Sequence, residues 1–588
     1  MLARLARGPA ALISFAAIVA LAACGAELDI EDSADASFGG GKADSAVADG
    51  TPEARGVLAL VNDPAVDLAV LDHDAGLSAR AAKNIIDHRD RGPGAADDDR
   101  FDTLAELDAV PYIGPAALAA LVDYARETGR IVAAARIDVV FSPQPSASAH
   151  TARVAAWIRG AQRSVDIAMY SLSDADISAA LADAVRRGVA VRMLFDTAAE
   201  DRKLDLAGRT SSKSGKLEAA GVDVRWVNKV LHHKLAIIDG PRDDAGRVAT
   251  ARLVTGSGNW SYGGGQIYDE NTLFIDAAPE LARAYQREFD LLWSHSADFA
   301  LAQPLPFVRS TADLSAAVAD DPDADALFTS PNYTIADGST SFRLDRTRTT
   351  VSDQLVAAIN RAQRSIYVAS GHLRLRPVAE ALIARKAAVP SLDVRVYLDQ
   401  QEYISASGHT AQLVDLRTCL TAATTPATQW ACQSRDFLFG KAVGDAGIPV
   451  RYKTYAYRWD VTYAVQMHHK FLIVDGTDLY TGSYNLSMNA EQSTFENVVR
   501  LGAGSYPTVV AAYVREFERL WTTGRTPDRL AALRAQISAA STIPLVFDSM
   551  ALDHAEITAL RALIRSRCPA VDSTEFRDNP PAHRSCTL

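Results

Sequence analysis

One stretch, His468-His469-Lys470-Phe471-Leu472-Ile473-Val474-Asp475-Gly476, decides the fold because the chain carries it twice. The earlier copy reads His232-His233-Lys234-Leu235-Ala236-Ile237-Ile238-Asp239-Gly240. In both copies a polar start leads into four apolar residues and ends at an Asp-Gly pair, which is typical of a buried strand that ends in a turn. The duplication indicates that the chain contains two related halves.

Other paired segments surround the two copies. Residues 161–168 match residues 362–369, and each segment reads as the end of a helix followed by an apolar strand. Residues 191–196 and 394–399 form a second matching pair, each after a stretch of helical length. Two strands joined by a helix indicate a βαβ unit with parallel strands. Each half then closes with a similar helix, so the sequence predicts an α/β fold of two pseudo-symmetric α/β/α halves packed together.

Polar residues follow each copy of the stretch at matching places. The first half has Ser257, Asn259 and Glu270, and the second half has Ser483, Asn485 and Glu496. The Asn and the Glu are 11 residues apart in both halves. The first His and the Asn are 27 residues apart in the first half and 17 in the second, and residues 241–247 predict a loop insertion that accounts for most of this difference.

These residue types suit the chemistry of a phosphodiester. Side chains alternate along a strand, so the first His and the Lys of each copy share a face while the second His points to the other face. If the halves meet across a pseudo-two-fold axis, they bring two imidazoles, two ammonium groups and two amides to one pocket. The lysines supply positive charge, and the amides and hydroxyls supply directed donors. The candidate catalytic residues are His232, Lys234, Asn259, Glu270, His468, Lys470, Asn485 and Glu496, with Ser257 and Ser483 in support.

The duplicated motif, with its trailing Ser-x-Asn and Glu, resembles the signature of the phospholipase D superfamily over about residues 135–530. The resemblance implies a phosphodiesterase that needs no metal or cofactor and works through a phosphohistidine intermediate. It implies His232 as the nucleophile and His468 as the general acid, although the symmetry of the sequence does not itself decide between them. We expect Glu270 and Glu496 to accept hydrogen bonds from the non-reacting ring nitrogens, which would fix the tautomers.

The remaining motif residues have a structural interpretation. Asp239 and Asp475 end an apolar strand at an odd offset from the Lys, so we expect them to hold strand ends or loops as structural motif residues. We expect His233 and His469 to be packing or rim residues. The paired histidines also invite a metal site, but the adjacent lysines oppose a cation and no third ligand recurs in register, so we predict that no metal is bound.

The amino terminus reads as an export signal in residues 1–24. Arg4 and Arg7 precede an apolar run that is too short to span a membrane comfortably and ends in Leu21-Ala22-Ala23-Cys24-Gly25. This resembles the lipobox of bacterial lipoproteins, which implies lipidation of Cys24, with residues 25–54 as a flexible tether. We therefore expect a lipoprotein anchored in the membrane of the cell envelope and facing the periplasm or the exterior; an ordinary secreted protein is the alternative.

Residues 55–130 predict a small all-α module that resembles helix-hairpin-helix domains. The segment Val110-Pro111-Tyr112-Ile113-Gly114 reads as a hairpin that leads into a helix. The resemblance implies that backbone N–H groups of the hairpin contact a DNA phosphate. Acidic residues beside the hairpin, including Asp102 and Glu106, would repel such a phosphate, so we favour a structural or protein-contact role and keep DNA contact as the alternative.

Length, charge and cysteine count limit the function further. With 588 residues and a net charge of −12, the chain needs several domains and does not attract polyanions in bulk. We place the first half at residues 131–305, the second at 320–535 and a C-terminal segment at 536–588, and we expect a monomer. Outside the cytosol the cysteines other than Cys24 can oxidise, and the simplest of three connectivities pairs Cys419 with Cys432 and Cys568 with Cys586; free buried thiols are the alternative.

The substrate is the least determined property. Phospholipid headgroup hydrolysis or transfer is favoured by the predicted membrane anchor and by five aromatic residues that could line an amphipathic mouth or simply pack in the core: Tyr452, Tyr455, Tyr457, Trp459 and Tyr463. A secreted endonuclease that acts on DNA is the alternative. A noncatalytic, envelope-anchored binding protein is a third hypothesis, for which an intact double motif would be unnecessary.

Overall fold

The computed structural model describes residues 47, 49, 51–90, 100–131, 135–301, 304–315, 321–539, 546–568 and 573–574. The predicted export signal, the lipidation site Cys24 and Cys586 lie outside this set, and so does most of the predicted tether. Within the described residues, no helix combines the length and apolar character needed to cross a membrane.

The described chain begins with a group of helices that share one core. They are α1 (Pro52–Val61), α2 (Ala79–Arg89), α3 (Leu104–Ala109) and α4 (Pro115–Glu127). The side chains of Thr51, Ser78 and Thr103 accept hydrogen bonds from backbone N–H groups in the first turns of α1, α2 and α3, so each of these helices starts at an N-cap. The hairpin between α3 and α4 leaves Tyr112 exposed.

The first sheet is built from the segment that carries the first motif. Its strands are β1 (Arg136–Ser142), β2 (Ser164–Met169), β3 (Ala190–Phe195), β4 (Asp223–Trp226), β6 (Lys234–Ile238), β7 (Arg252–Gly256), β8 (Glu270–Asp276) and β9 (Ala297–Asp298), in the order β1-β8-β7-β6-β2-β3-β4-β9. The short β5 (Val230–Leu231) lies outside this sheet. The helices of the first half are α5 (His150–Arg159), α6 (Ala175–Arg186), α7 (Ala198–Asp201), α8 (Leu206–Ser211), α9 (Lys213–Ala219), α10 (Tyr262–Gln266) and α11 (Pro279–Ser294).

The second sheet repeats this plan. Its strands are β10 (Ala324–Phe328), β13 (Ser365–Ser370), β15 (Asp393–Asp399), β16 (Val450–Ala456), β17 (Lys470–Val474), β18 (Asp478–Gly482), β21 (Asn497–Gly502) and β22 (Val546–Asp553), in the order β10-β21-β18-β17-β13-β15-β16-β22. Short strands outside it are β11 (Tyr333–Thr334), β12 (Arg343–Leu344), β14 (Leu373–Arg374), β19 (Leu486–Ser487) and β20 (Thr494–Phe495). Its helices are α12 (Thr350–Arg361), α13 (Arg376–Ala388), α14 (Ala406–Ala422), α15 (Pro426–Gln433), α16 (Gly440–Asp445), α17 (Met488–Ser493), α18 (Pro507–Thr522), α19 (Pro527–Ala539) and α20 (His554–Arg567).

The two sheets match strand for strand, which confirms the predicted fold of two related α/β halves. β2 pairs in parallel with β3 across α6, and β13 pairs in parallel with β15 across α13, as the repeats predict. The predicted insertion lies in the long connection between β6 and β7, which contains a 3₁₀ turn at Ala245–Ala249. The second sheet runs past the boundary drawn at residue 535, because β22 pairs with β16.

One apolar core joins the halves. It contains residues of both sheets together with residues of α11 and α18, including Leu235, Ile473, Tyr285, Phe289 and Phe517. α11 contacts β10 of the second half, and α18 contacts β1 of the first. Each closing helix also contacts strands of its own sheet, so α11 and α18 lie in the core that the two halves share.

Candidate active site

The two motif histidines are positioned by backbone pairing between the halves. β5, directly before His232, pairs in parallel with β20 of the second half, and the His232 N–H donates to the Phe495 carbonyl at 3.0 Å. The second half repeats this arrangement, because the His468 N–H donates to the Asp269 carbonyl at 2.9 Å. Each histidine is therefore held beside the residue that precedes the other half's Glu.

This pairing makes each imidazole bind the carboxylate of the opposite half. His232 Nδ1 lies 2.9 Å from Oε2 of Glu496, and His468 Nδ1 lies 2.7 Å from Oε1 of Glu270. A carboxylate accepts, so Nδ1–H of each ring donates and Nε2 is left as the second ring nitrogen. The structure thus brings together the histidines and glutamates that the sequence singled out, and it crosses the pairs between halves.

Burial and neighbouring charge make the two pairs electrostatically different. Burial, with Lys234 and Lys470 nearby, holds the pKa of His232 well below its usual value. Burial also lowers the pKa of His468, to about 4, against the opposing charge of Glu270. Burial raises the pKa of Glu496 to about 7, whereas burial of Glu270 is outweighed by the charge and hydrogen bond of His468, and its pKa is lowered.

The two motif lysines lie in the same buried site. Lys234 Nζ donates to the His232 carbonyl at 2.7 Å, and Lys470 Nζ donates to the His468 carbonyl at 2.7 Å. Burial lowers the pKa of Lys234 to about 7 and the pKa of Lys470 to about 8. An anion bound between these ammonium groups would favour their charged forms.

The serine and asparagine residues of the two motifs complete the group of candidate active-site residues. Ser483 Oγ donates to Oε2 of Glu496 at 2.6 Å, and Ser257 Oγ accepts from the Asn271 N–H at 2.9 Å. The side-chain oxygens of Asn259 and Asn485 are buried and have no hydrogen-bond partner among the described residues. These two amide oxygens therefore make no hydrogen bond to the rest of the described protein.

Asp239 and Asp475 lie at the far ends of β6 and β17. Both have positive φ, 53° and 55°. The side chain of Asp239 accepts hydrogen bonds from the backbone N–H groups of residues 162–164, and that of Asp475 accepts from residues 363–365. Each Asp therefore fixes the entry to the neighbouring strand β2 or β13, and the structure does not bring it to the histidines.

A second layer of residues behind the site was not predicted. Asn497 places its amide nitrogen 2.9 Å from Nδ1 of His233, and its oxygen accepts from Thr255 and Tyr285 at 2.7 and 2.9 Å. Because two hydroxyls occupy the amide oxygen, the NH₂ group faces His233, whose Nδ1 must accept. The second half repeats the layer with Asn271, His469, Thr481 and Tyr513.

The sequence carries a repeated pattern that marks these second-layer residues. Asn follows the Glu in both halves, and the closing helices share Tyr-x-x-Glu at Tyr285 and Glu288 and at Tyr513 and Glu516. His469 Nε2 lies 3.0 Å from Glu516, and His233 Nε2 lies 3.4 Å from Glu288. His233 and His469 are fully buried, so they are packing residues and not rim residues.

A cavity of about 440 Å³ opens beside Asn485 on the second-half side of the site. Its wall is mostly polar and includes His372, Arg374, Trp430, Asp436, Asn489 and Gln492. Trp430 belongs to α15, which the disulfide between Cys419 and Cys432 ties to α14. His372 and Arg374 are fixed from behind by the buried Glu402, whose Oε1 lies 2.8 Å from His372 Nδ1.

Of the two interpretations of the aromatic stretch, packing in the core is confirmed for three of the five residues, and the prediction that they line the mouth of the active site is wrong for those three. Tyr452, Tyr455 and Tyr457 are buried in the second half, and only Trp459 is exposed, with Tyr463 half-buried. The aromatic neighbours of the histidines are instead Tyr170, whose ring centroid lies 4.8 Å from that of His232, and Tyr268, at 6.5 Å from His468.

Comparisons with known proteins fit this geometry. The family model described as "Cardiolipin synthase, PLD-like domain" matches residues 154–293 and 355–521, together just over half of the chain. A mitochondrial cardiolipin hydrolase from Xenopus laevis is 32% identical over 153 residues, which are 26% of this chain and 64% of that protein. A phospholipase D from Rickettsia conorii is 30% identical over 152 residues, 26% of this chain and 66% of that protein. The chain therefore spans slightly less than two thirds of the length of these relatives.

Among solved structures, a phosphatidylserine synthase from Haemophilus influenzae is similar to 78% of this chain and to 97% of its own length. The two share 12% sequence identity with a TM-score of 0.42.

Proposed function

The chain belongs to the enzyme family described as cardiolipin synthase, PLD-like domain, where PLD stands for phospholipase D, and from that premise we propose that it cleaves or transfers phospholipid headgroups through a phosphohistidine intermediate. The observation that carries the proposal is the crossed pairing of His232 with Glu496 and of His468 with Glu270. Two imidazoles, each oriented by a carboxylate, beside two buried lysines form the minimum set for a two-step displacement at phosphorus.

In the first step, Nε2 of His232 attacks phosphorus and forms a P–N bond. The P–O bond to the headgroup breaks, and Nε2–H of His468 gives its proton to the leaving oxygen. In the second step, His468 removes a proton from water, the water oxygen attacks phosphorus and the P–N bond breaks. The products are the headgroup alcohol and phosphatidic acid; an acceptor alcohol in place of water gives headgroup transfer.

The surroundings of the two carboxylates support His232 as the nucleophile. Glu496 accepts additional hydrogen bonds from Ser483 and Thr494 at 2.6 and 2.9 Å, and its pKa is raised, so it stabilises an imidazolium less effectively. Glu270 has a lowered pKa and lies 2.7 Å from His468. Glu270 thus favours the protonated form of His468, and a bound phosphodiester anion would raise the lowered pKa of this ring further, which suits a general acid. His232, whose pKa is held well below its usual value, stays neutral.

The cavity beside Asn485 supports a polar, hydroxyl-rich headgroup as the leaving group. Its wall carries hydroxyl and amide groups of Ser434, Ser487, Asn489 and Gln492. A quaternary ammonium is a poorer match, because Arg346 already lies 4.6 Å from the Trp430 ring centroid, the aromatic ring of the cavity wall on which such a cation would stack. We therefore propose glycerol-type headgroups, as in phosphatidylglycerol or cardiolipin, ahead of choline.

The test is to assay the purified protein with EDTA on vesicles of phosphatidylglycerol, cardiolipin or phosphatidylcholine and, in parallel, on DNA. We expect headgroup release from the glycerol lipids and its loss in His232→Ala. His73→Ala is the matched control, because His73 is exposed in the helical module. Cleavage of DNA with no release of any headgroup would contradict the proposal and favour the endonuclease.

A further inference from the structure

A second cavity, of about 450 Å³, lies between α20 and two loops of the second half. Its wall includes Tyr403, Tyr457, Arg458, Thr558, Arg561 and Arg565. None of the candidate active-site residues lines it, and none of the residues that line the cavity beside Asn485 does so. It is therefore a separate site.

Three arginines meet in this cavity without a carboxylate. Arg561 and Arg565 lie one turn apart on the same face of α20, and Arg458 comes from the connection between β16 and β17. Within the described residues, none of the three has an acidic side chain within 4.0 Å. Arg525, which also contacts α20, does have such a partner, because it pairs with Glu556 at 2.7 Å.

Two buried polar atoms of residues that line the cavity also lack partners. Nε of Arg561 and the hydroxyl of Tyr457 are buried and make no hydrogen bond among the described residues. The guanidinium of Arg561 lies 4.3 Å from the Tyr403 ring centroid, and that of Arg458 lies 5.2 Å from the Tyr457 ring centroid. Stacking on the two rings holds these guanidinium groups in place, so their donors are preorganised.

The electrostatics of the cavity favour an anion. Burial lowers the pKa of Arg561, and the like charges of Arg458 and Arg565 add to this effect. Burial would raise the pKa of the Tyr457 phenol, but the nearby guanidinium groups of Arg565 and Arg458 lower it instead. This concentration of positive charge occurs in a protein whose net charge is −12, so it is a local feature.

We propose that this cavity binds a phosphomonoester group. Guanidinium groups match the oxygens of phosphate with paired hydrogen bonds, and three of them neutralise a dianion. The N-terminus of the 17-residue α14, which begins next to Ser405 in the cavity wall, adds a further partial positive charge. The volume exceeds that of inorganic phosphate and leaves room for the organic part of a soluble phosphomonoester or of a phospholipid headgroup.

Isothermal titration with inorganic phosphate at constant ionic strength tests the proposal. We expect the double variant Arg458→Gln/Arg565→Gln to weaken phosphate binding at this cavity by at least about tenfold, because two charge-assisted contacts are removed. Arg534→Gln, an exposed arginine of α19, is the matched control and should bind as the wild type does. The variant Lys470→Met removes one of the two active-site lysines, so it distinguishes phosphate bound at the active site from phosphate bound in this cavity. If the double variant does not fold, Arg565→Gln alone serves, since Arg565 is exposed.

Binding that persists in Lys470→Met and is lost in the arginine variants supports the cavity. Equal binding by the wild type and the arginine variants, or complete loss in Lys470→Met, would overturn it. A second arm measures sedimentation with phosphatidylcholine vesicles that contain or lack phosphatidic acid. Loss of phosphatidic acid-dependent sedimentation in the arginine variants identifies a lipid headgroup as the source, whereas unchanged sedimentation with lost phosphate binding identifies a soluble phosphomonoester.

Discussion

At the scale of single residues, the buried amide of Asn497 links the two halves. It donates to His233 of the first half and accepts from Thr255 and Tyr285, also of the first half. All four side chains are buried, so no water replaces a lost partner.

We expect Asn497→Ala to lower the free energy of unfolding by about 2 kcal/mol or more, because it leaves buried donors and acceptors without partners. Thermal and urea unfolding measure this change. Asn489→Ala is the matched control, since Asn489 is exposed, and it should change stability by less than about 0.5 kcal/mol. Equal stability of the two variants would show that the network contributes nothing.

The buried lysines predict an alkaline limit to activity. The pKa of Lys234 is lowered to about 7 and that of Lys470 to about 8, so the free enzyme loses their positive charge as the pH rises through these values. Because kcat/KM reports the free enzyme, we expect it to fall by about tenfold or more between pH 7 and pH 9. A profile at constant ionic strength that stays flat to pH 10 would argue against this electrostatic role.

At the scale of elements, the equivalent strands β2 and β13 have diverged. β2 carries Asp166, which is fully buried and receives two hydrogen bonds of 2.7 Å from Arg192 on β3, with Arg242 as a second cationic partner. Arg242 comes from the loop insertion after β6. At the matching position β13 carries Tyr367, whose hydroxyl donates to Asp393 at 2.9 Å near the surface.

We expect Asp166→Asn to destabilise the protein by about 3–5 kcal/mol, because it removes the buried carboxylate that Arg192 and Arg242 share and leaves Arg192 with Asp290 alone. Burial would raise the pKa of Asp166, but Arg242 and Arg192 hold it well below its usual range, so the carboxylate is charged at neutral pH. Tyr367→Phe is the control from the other half and should cost less than about 1 kcal/mol. Urea unfolding compares the two, and similar losses would contradict the assignment.

The sequence predicts elements whose signal repeats. The βαβ units and the motif strands are predictable because equivalent residues occur in the same order in both halves, and the loop insertion is predictable because the spacing between the first His and the Asn differs. The aromatic stretch at residues 452–463 misled because ring count alone does not distinguish a core strand from a cavity wall; Tyr452 and Tyr455 are in β16.

At the scale of the whole molecule, the arrangement of the site depends on how the halves dock. Sequence spacing places His232 and Glu270 in one half, but the pairing of β5 with β20 brings His232 to Glu496, 264 residues away. The same holds for the arginine cavity, whose residues come from three separate segments. Such contacts carry no local signal, so the sequence could predict the members of the site but not their partners.

The predicted anchor is also a property of the whole molecule. We expect Cys24→Ala to move the protein from the membrane fraction to the soluble or unprocessed pool, because lipidation of Cys24 is the predicted attachment. Cell fractionation and labelling with a clickable fatty acid measure this. Unchanged fractionation with no label on the wild type would favour an ordinary secreted protein.

In the proposed reaction, His232 forms the covalent intermediate while His468 acts as acid and base. A phosphatidyl ester of p-nitrophenol needs no acid for its first step, because its leaving group is already good. In His468→Asn, release of p-nitrophenol should therefore show a burst, and mass spectrometry of the quenched protein should find the phosphatidyl adduct on His232. No burst and no adduct should occur in His232→Ala. An adduct on His468 in the wild type, or turnover with no adduct on either histidine, would contradict the account.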